Sequence, residues 1–180
     1  LIPSGLSFLS GWCQPQSLRR MLNQSLRGNR LVLDNFIASD GVAGRRLYRA
    51  QSRGLVAHWL AGNVPLLGML SLVQAILTKN ANLLKAASSF SSVMPLLLES
   101  FRDLEVKSFG GKVLRGNDIL QSIAVVYFDR HNKTAAETLS LRSDVRLAWG
   151  GREAVETVMG LPRYYGTEDI VFGPKLSYMA

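Results

Sequence analysis

Two adjacent glycines behind an apolar run offer the most direct chemistry in this sequence. Gly150-Gly151 follow Val145–Trp149, which reads as a strand, and precede Ala154, Val155 and Val158 at helical spacing. Such a turn lets backbone approach a ligand closely and leaves free amides at the helix start, an arrangement suited to a phosphate. A plain tight turn explains the same residues equally well. Lys85 closes the short run Asn82–Lys85, ahead of the small residues Ala86-Ala87-Ser88. Its ammonium can meet a phosphate or a ribose hydroxyl, although a solvated lysine at a sheet end is the commoner outcome. Asn63, in Gly62-Asn63-Val64-Pro65, carries an amide able to donate to a developing oxyanion. Turn asparagines more often satisfy their own backbone. His58 sits inside an apolar run and reads as a core histidine. Cys13, with no histidine beside it in sequence, reads as peripheral rather than nucleophilic.

The elements that must position these residues alternate between strand and helix. Gly54–Leu60 is a nearly continuous apolar run of the kind shown by buried parallel strands. Pro65 suits a helix start, and Leu66, Met69, Leu70, Val73, Ile76 and Leu77 recur at helical spacing. Asn82–Lys85 is a second strand, and Ser88 and Ser91 offer caps for a helix reaching Phe101. Ile123–Phe128 is a third strand, Ala135–Leu141 a short helix, Val145–Trp149 a fourth strand and Ile170–Phe172 a fifth; Arg102–Leu120 has no clear pattern. The alternation predicts an α/β fold, a parallel sheet with helices on both faces. Ligands in such sheets bind beyond the carboxyl ends of the strands. The turns of interest are therefore Ala61–Pro65, Lys85–Ser88, Asp129–Lys133, Trp149–Glu153 and Gly173–Lys175. Residues 1–50 read as a helical segment packing on a domain of residues 51–180, with a helix opened by Pro15 and stopped near Gly28-Asn29.

Composition removes several function classes. One cysteine in 180 residues excludes an internal disulfide and a cysteine-rich zinc site, and two histidines argue against a histidine-built metal centre. The formal charge of +8 comes from 21 basic and 13 acidic residues, with arginines concentrated in the first third. No recognition motif or regular aromatic interleaving accompanies them, so nucleic acid is not an expected partner. Leu55–Leu77 is interrupted by His58, Asn63, Pro65 and Gln74, which argues against a membrane span, and no secretory leader is visible. A cytoplasmic location is expected. The chain begins with Leu1 and closes in a strand-like run, and reads as a piece of a longer protein. Neither a G-x-G-x-x-G fingerprint nor a Walker A motif is present.

The run His58–Gly68, followed by Leu77–Ser88, resembles the acyl-CoA reductase family, which includes the fatty-acid reductase subunit of bacterial luciferase operons and belongs to the aldehyde dehydrogenase superfamily. Ser122–Asp129, Ala148–Ala154 and Ile170–Lys175 are similar to it as well, so the resemblance covers about residues 30 to 180. It implies a Rossmann-like cofactor-binding domain of aldehyde dehydrogenase type, with NADPH as cofactor and NADH as the alternative. Asn63 would match the superfamily's oxyanion-hole asparagine, Lys85 the lysine near the adenosine ribose or its 2′-phosphate, and Ser88 the same ribose-side turn. Gly150 and Gly151 would match the turn facing the pyrophosphate, with Gly151 in place of a serine. Lys85 without a nearby ribose-binding carboxylate suits the 2′-phosphate of NADPH.

Two departures from the superfamily pattern are informative. Val171 stands where ordinary aldehyde dehydrogenases carry the water-activating glutamate of a Glu-Leu-Gly-Gly-Lys motif. That departure implies a thioester intermediate spared from hydrolysis. The family's nucleophilic cysteine lies downstream of this motif, beyond Ala180, and Cys13 does not match it. What the resemblance implies is the cofactor-binding portion of a reductase that turns acyl-CoA, or another acyl thioester, into a fatty aldehyde. An acyl-transferring partner protein and a homo-oligomeric full-length enzyme are implied with it. The alternatives are a relative acting on a carrier-protein thioester or acyl phosphate, and a catalytically inactive binding module.

Overall fold

The structure, a computed structural model, describes residues 2–38, 46–62, 66–108 and 110–173. Asn63 and the Pro174-Lys175 part of the last motif lie outside the described residues. The chain divides into two compact units, Leu1–Ser52 and Arg53–Ala180.

The first unit holds helices α1 (Ile2–Trp12) and α2 (Pro15–Ser25), a 3-10 turn at Arg30–Leu33, and a two-residue ribbon of β1 (Ile37–Ala38) against β2 (Leu47–Tyr48). Pro15 opens α2, where its missing N–H costs no helical hydrogen bond. Gly28, at φ +85°, ends the following turn in a conformation that disfavours other residues. Helix α1 falls within the helical segment expected over residues 1–50, and the ribbon departs from that expectation.

The second unit is built on one sheet. Its strands are β3 (Leu55–Trp59), β4 (Ala81–Lys85), β7 (Ile123–Val126), β8 (Val145–Trp149) and β9 (Glu168–Phe172). Between β4 and β7 lie α4 (Val93–Glu99), an antiparallel hairpin of β5 (Glu105–Lys107) and β6 (Val113–Arg115), and α5 (Gly116–Leu120). Helix α3 (Leu67–Leu77) links β3 to β4, α6 (Lys133–Leu141) links β7 to β8, and α7 (Arg152–Met159) links β8 to β9. The spatial order is β7-β4-β3-β8-β9, and every pairing is parallel. This is a Rossmann-like α/β fold.

Both faces of the sheet are covered, which is why β3 and β8 are apolar except at His58 and Arg146. Val56, Val145 and Leu147 pack with Ala75 of α3 on one face. Ala57, Trp59 and Ala148 pack with Leu139 of α6 and Val158 of α7 on the other. Gly54 enters β3 at φ +124°, and a Cβ there would lie 2.1 Å from the Asp144 carboxylate. That carboxylate accepts from the Leu55 amide at 2.7 Å, so the strand start is tied to the segment leading into β8.

The core also holds a cation. Arg146 on β8 is 1% exposed and forms a two-pronged ion pair with Asp169 of β9, at 2.7 and 3.0 Å. Its remaining nitrogen donates to Ser140 Oγ of α6 and to the carbonyls of Val158 and Leu161. Arg163 also reaches Asp169. Among the described residues every buried side-chain nitrogen and oxygen has a partner.

Several elements depart from the sequence expectation; α6 and β9 each start two residues early, at Lys133 and Glu168. The helix expected from Ser88 to Phe101 is two pieces, a 3-10 turn at Ser88–Phe90 and α4, and neither Ser88 nor Ser91 caps α4. The cause is Pro95: its ring would collide with the carbonyl of residue 91 in a continuous helix, so α4 starts late enough to leave the proline in its first turn. The third strand ends at Val126 rather than Phe128; after the Ala86 amide bonds the Val126 carbonyl, Tyr127 turns outward. Arg102–Leu120, without clear pattern in the sequence, holds the β5–β6 hairpin and α5.

Candidate functional site

Because the sheet is wholly parallel, the residues that follow its five strands share one rim. Trp59 pairs with Lys85 and with Ala148, Lys85 with Val126, and Trp149 with Phe172. Strand order reverses between β3 and β8: the chain runs outward through β4 and β7, then returns to the other side of β3. The crevice at such a reversal is the usual ligand site of an open α/β sheet. Here it lies between the chain leaving β3 at Leu60–Gly62 and the chain leaving β8 at Gly150-Gly151.

Lys85 closes β4 beside that crevice. It is half-buried, with Nζ 5.2 Å from the centre of the Phe128 ring. Burial lowers its pKa, and the negative charge of Asp129 works the other way. Asp129 is held by an Asx-type turn, its carboxylate accepting from the His131 amide at 2.8 Å. Lys85 therefore has a carboxylate near enough to act on its charge, which the sequence around it does not show. Asp129 follows the neighbouring strand β7, 44 residues further on in the chain (129 − 85), and only the strand order brings it near.

Ser88 is exposed at the start of the 3-10 turn after β4. The next residue, Ser89, donates to the Gly62 carbonyl at 2.8 Å, tying the turn after β4 to the turn after β3. Asn63 would follow directly, outside the described residues.

On the other side of the crevice the Gly150 amide donates to the Phe172 carbonyl at 3.2 Å, and a Cβ on Gly150 would stand 3.0 Å from that of Ala154. Gly151 is different: a Cβ there would meet nothing within 4 Å. Gly151 occupies the N-cap position of α7 and offers no side-chain cap, so the first amides of α7 are left to solvent or a ligand. Glu153 adds a carboxylate to the same first turn.

Beneath the rim, Trp149 and Phe172 stack at 3.9 Å with planes 8° apart. The Trp149 indole donates to Ser71 Oγ at 3.2 Å. Ser71 Oγ lies 3.1 Å from His58 Nδ1, and His58 Nε2 lies 3.1 Å from Asn82 Oδ1. His58 is wholly buried, and burial pushes its pKa down to about 4. Expected only to sit in the core, His58 is part of a polar chain that no local spacing announces. Cys13, in the first unit, is partly buried, which raises its thiol pKa. Among the described residues no group of three or more His, Cys, Asp or Glu side chains is placed to hold a metal ion. No helix among them is long and apolar enough to cross a membrane.

The half-buried cation and the uncapped helix amides at this rim are groups of the kind that suit a phosphate. Comparison with known proteins gives the family. A family model described as acyl-CoA reductase (LuxC) matches residues 3–180. The chain belongs to this acyl-CoA reductase family. It is 32% identical over 166 residues to a long-chain acyl-protein thioester reductase of Aliivibrio fischeri, covering 92% of this chain and 32% of that protein. It is 33% identical over 153 residues to one of Photorhabdus laumondii, covering 84% and 29%. A protein of the same name from Vibrio harveyi is 30% identical over 168 residues, covering 92% and 32%. The chain thus spans about a third of the length of these curated relatives. The acyl-CoA reductase family is a family of oxidoreductases, and residues 53–173 of this chain have a Rossmann-like fold.

Proposed function

We propose that residues 51–180 are the nicotinamide-cofactor-binding portion of an NADPH-dependent acyl-CoA reductase, which forms a fatty aldehyde from an acyl thioester. The observation that carries this reading is the common rim: Lys85 and Gly150-Gly151 flank the point where strand order reverses. The residues there suit a dinucleotide. Lys85 would hold a ribose hydroxyl or the 2′-phosphate, and Ser88 lies in the same turn. The open side of Gly151 and the uncapped amides of α7 would receive the pyrophosphate. Gly151 lacks a hydroxyl, so backbone must serve in its place.

When bound, the nicotinamide supplies hydride to the acyl carbon. The chain's own contribution is placement and charge. Asn63 would donate to the oxyanion. A cysteine outside this chain would take up the acyl group as a thioester and release the thiol. Val171 in place of a carboxylate would leave that thioester without a water-activating base. The full-length enzyme would act in the cytoplasm as a homo-oligomer with an acyl-transferring partner protein.

A second reading replaces acyl-CoA by a protein-bound acyl thioester. What favours it is the name shared by the relatives, long-chain acyl-protein thioester reductase. Full-length protein assayed with acyl-CoA and with a protein-bound acyl thioester separates the two readings; aldehyde from neither rejects both. Cofactor choice is tested at Lys85 and Asp129. Lys85→Ala should weaken NADPH binding roughly tenfold and NADH binding far less, as loss of a charge-assisted phosphate contact requires. Asp129→Asn should tighten NADPH by removing a like charge. Equal losses for both cofactors on Lys85→Ala would exclude a 2′-phosphate role.

A further inference from the structure

We propose that Ser71, braced by His58, is a positioning residue for the cofactor rim: by holding the Trp149 indole it fixes the Trp149–Phe172 stack and the Gly150-Gly151 turn that continues from it. The proposal rests on the cofactor reading above and adds residues which that reading does not use. It starts from the bond directions. Asn82 commits its amide nitrogen to the Asn80 carbonyl at 2.8 Å, so its oxygen faces the imidazole, and His58 must carry its proton on Nε2. Nδ1 is then an acceptor. An indole nitrogen only donates, so Ser71 Oγ accepts from Trp149, and its single proton goes to His58 Nδ1 or to the Gly68 carbonyl 3.0 Å away.

This chain of bonds joins α3, β3, β4 and β8, and it passes directly beneath the reversal of strand order. Burying an imidazole, a hydroxyl and an amide costs more than packing apolar groups of the same shape. Orientation is what the arrangement supplies instead. Phenylalanine at position 149 would stack as well, but nothing would fix its rotation about the strand axis. With the indole N–H anchored, the ring plane is set, and Phe172 lies parallel to it. The Phe172 carbonyl in turn receives the Gly150 amide. Helix α3 and the ends of β8 and β9 are thereby held in one register.

The test uses the full-length protein carrying this chain. Trp149→Phe keeps the stack and deletes the N–H; Ser71→Ala deletes the acceptor; the double variant removes both. Each single change should weaken NADPH binding roughly tenfold, and the double change no further, because all three cut one bond. Ser71→Thr, which retains the oxygen, should restore binding to within about threefold of wild type. In apo protein with isotope-labelled tryptophan, the Trp149 indole proton should exchange slowly with solvent and become fast in Ser71→Ala. Unchanged affinity in Ser71→Ala, losses that multiply in the double variant, or fast indole exchange in wild type would each overturn the proposal. Wild type that binds neither NADPH nor NADH would overturn the cofactor reading and this proposal together. Wild type that binds, with independent or absent losses in the variants, would overturn only this one.

Discussion

His58 shows how much a single side chain can report. Its neighbours in sequence are apolar, and an imidazole there reads as core; the structure agrees, with the ring wholly buried. What the sequence could not show is that both nitrogens are committed, to residues 13 and 24 positions away. Burial holds the ring neutral, its pKa falling from 6.5 to about 4. The folded state therefore binds fewer protons than the unfolded chain between those values. The resulting stability is complete above pH 6.5 and is lost as pH falls through about 4, a loss of about 3 kcal/mol. Thermal melts across this range should show the midpoint dropping more steeply in wild type than in His58→Gln. The variant shares the titration of every carboxylate, so parallel curves would remove His58 as the cause. Lys85 and Asp129 make the same point about legibility: each is plain in the sequence as a strand-end residue, and only the strand order makes them neighbours.

Elements were legible where burial is two-sided or strictly periodic. β3, β8 and α3 follow from apolar runs that the core requires. The β5–β6 hairpin does not, because Val106, Leu114 and their neighbours stay exposed and impose no alternation on the sequence. Its visible glue is the cross-strand pair Glu105–Arg115 at 3.1 Å, a contact between residues ten apart. Arg146 likewise reads as an anomaly inside an apolar strand until β9 brings Asp169 beside it. Arg146→Met should cost about 3–5 kcal/mol, because it leaves a buried carboxylate and two carbonyls short of partners. The check is the urea midpoint, and a loss below about 1 kcal/mol would mean the pair is solvated. At the turn before α7, Gly151→Ser should leave stability within about 0.5 kcal/mol of wild type, since its Cβ meets nothing. The same variant should tighten NADPH several-fold if its hydroxyl donates to the pyrophosphate instead of capping the α7 amides. A large stability loss would show that the space beside Gly151 is filled.

At the scale of the molecule, parallel strands in the order β7-β4-β3-β8-β9 decide what can be a site. The strand and helix alternation was enough to anticipate the sheet and to mark five turns as its rim. It could not give the order of the strands, which depends on crossovers that leave no local mark. That order puts Lys85 and Gly150-Gly151 on opposite sides of one crevice. The most direct test is amide exchange of the full-length protein with and without saturating NADPH. Protection is expected to concentrate at Leu60–Gly62, Lys85–Ser89, Phe128–Asn132 and Trp149–Glu153. Demonstrated binding that protects other segments and leaves these four unchanged would contradict the assignment of the rim as the cofactor site.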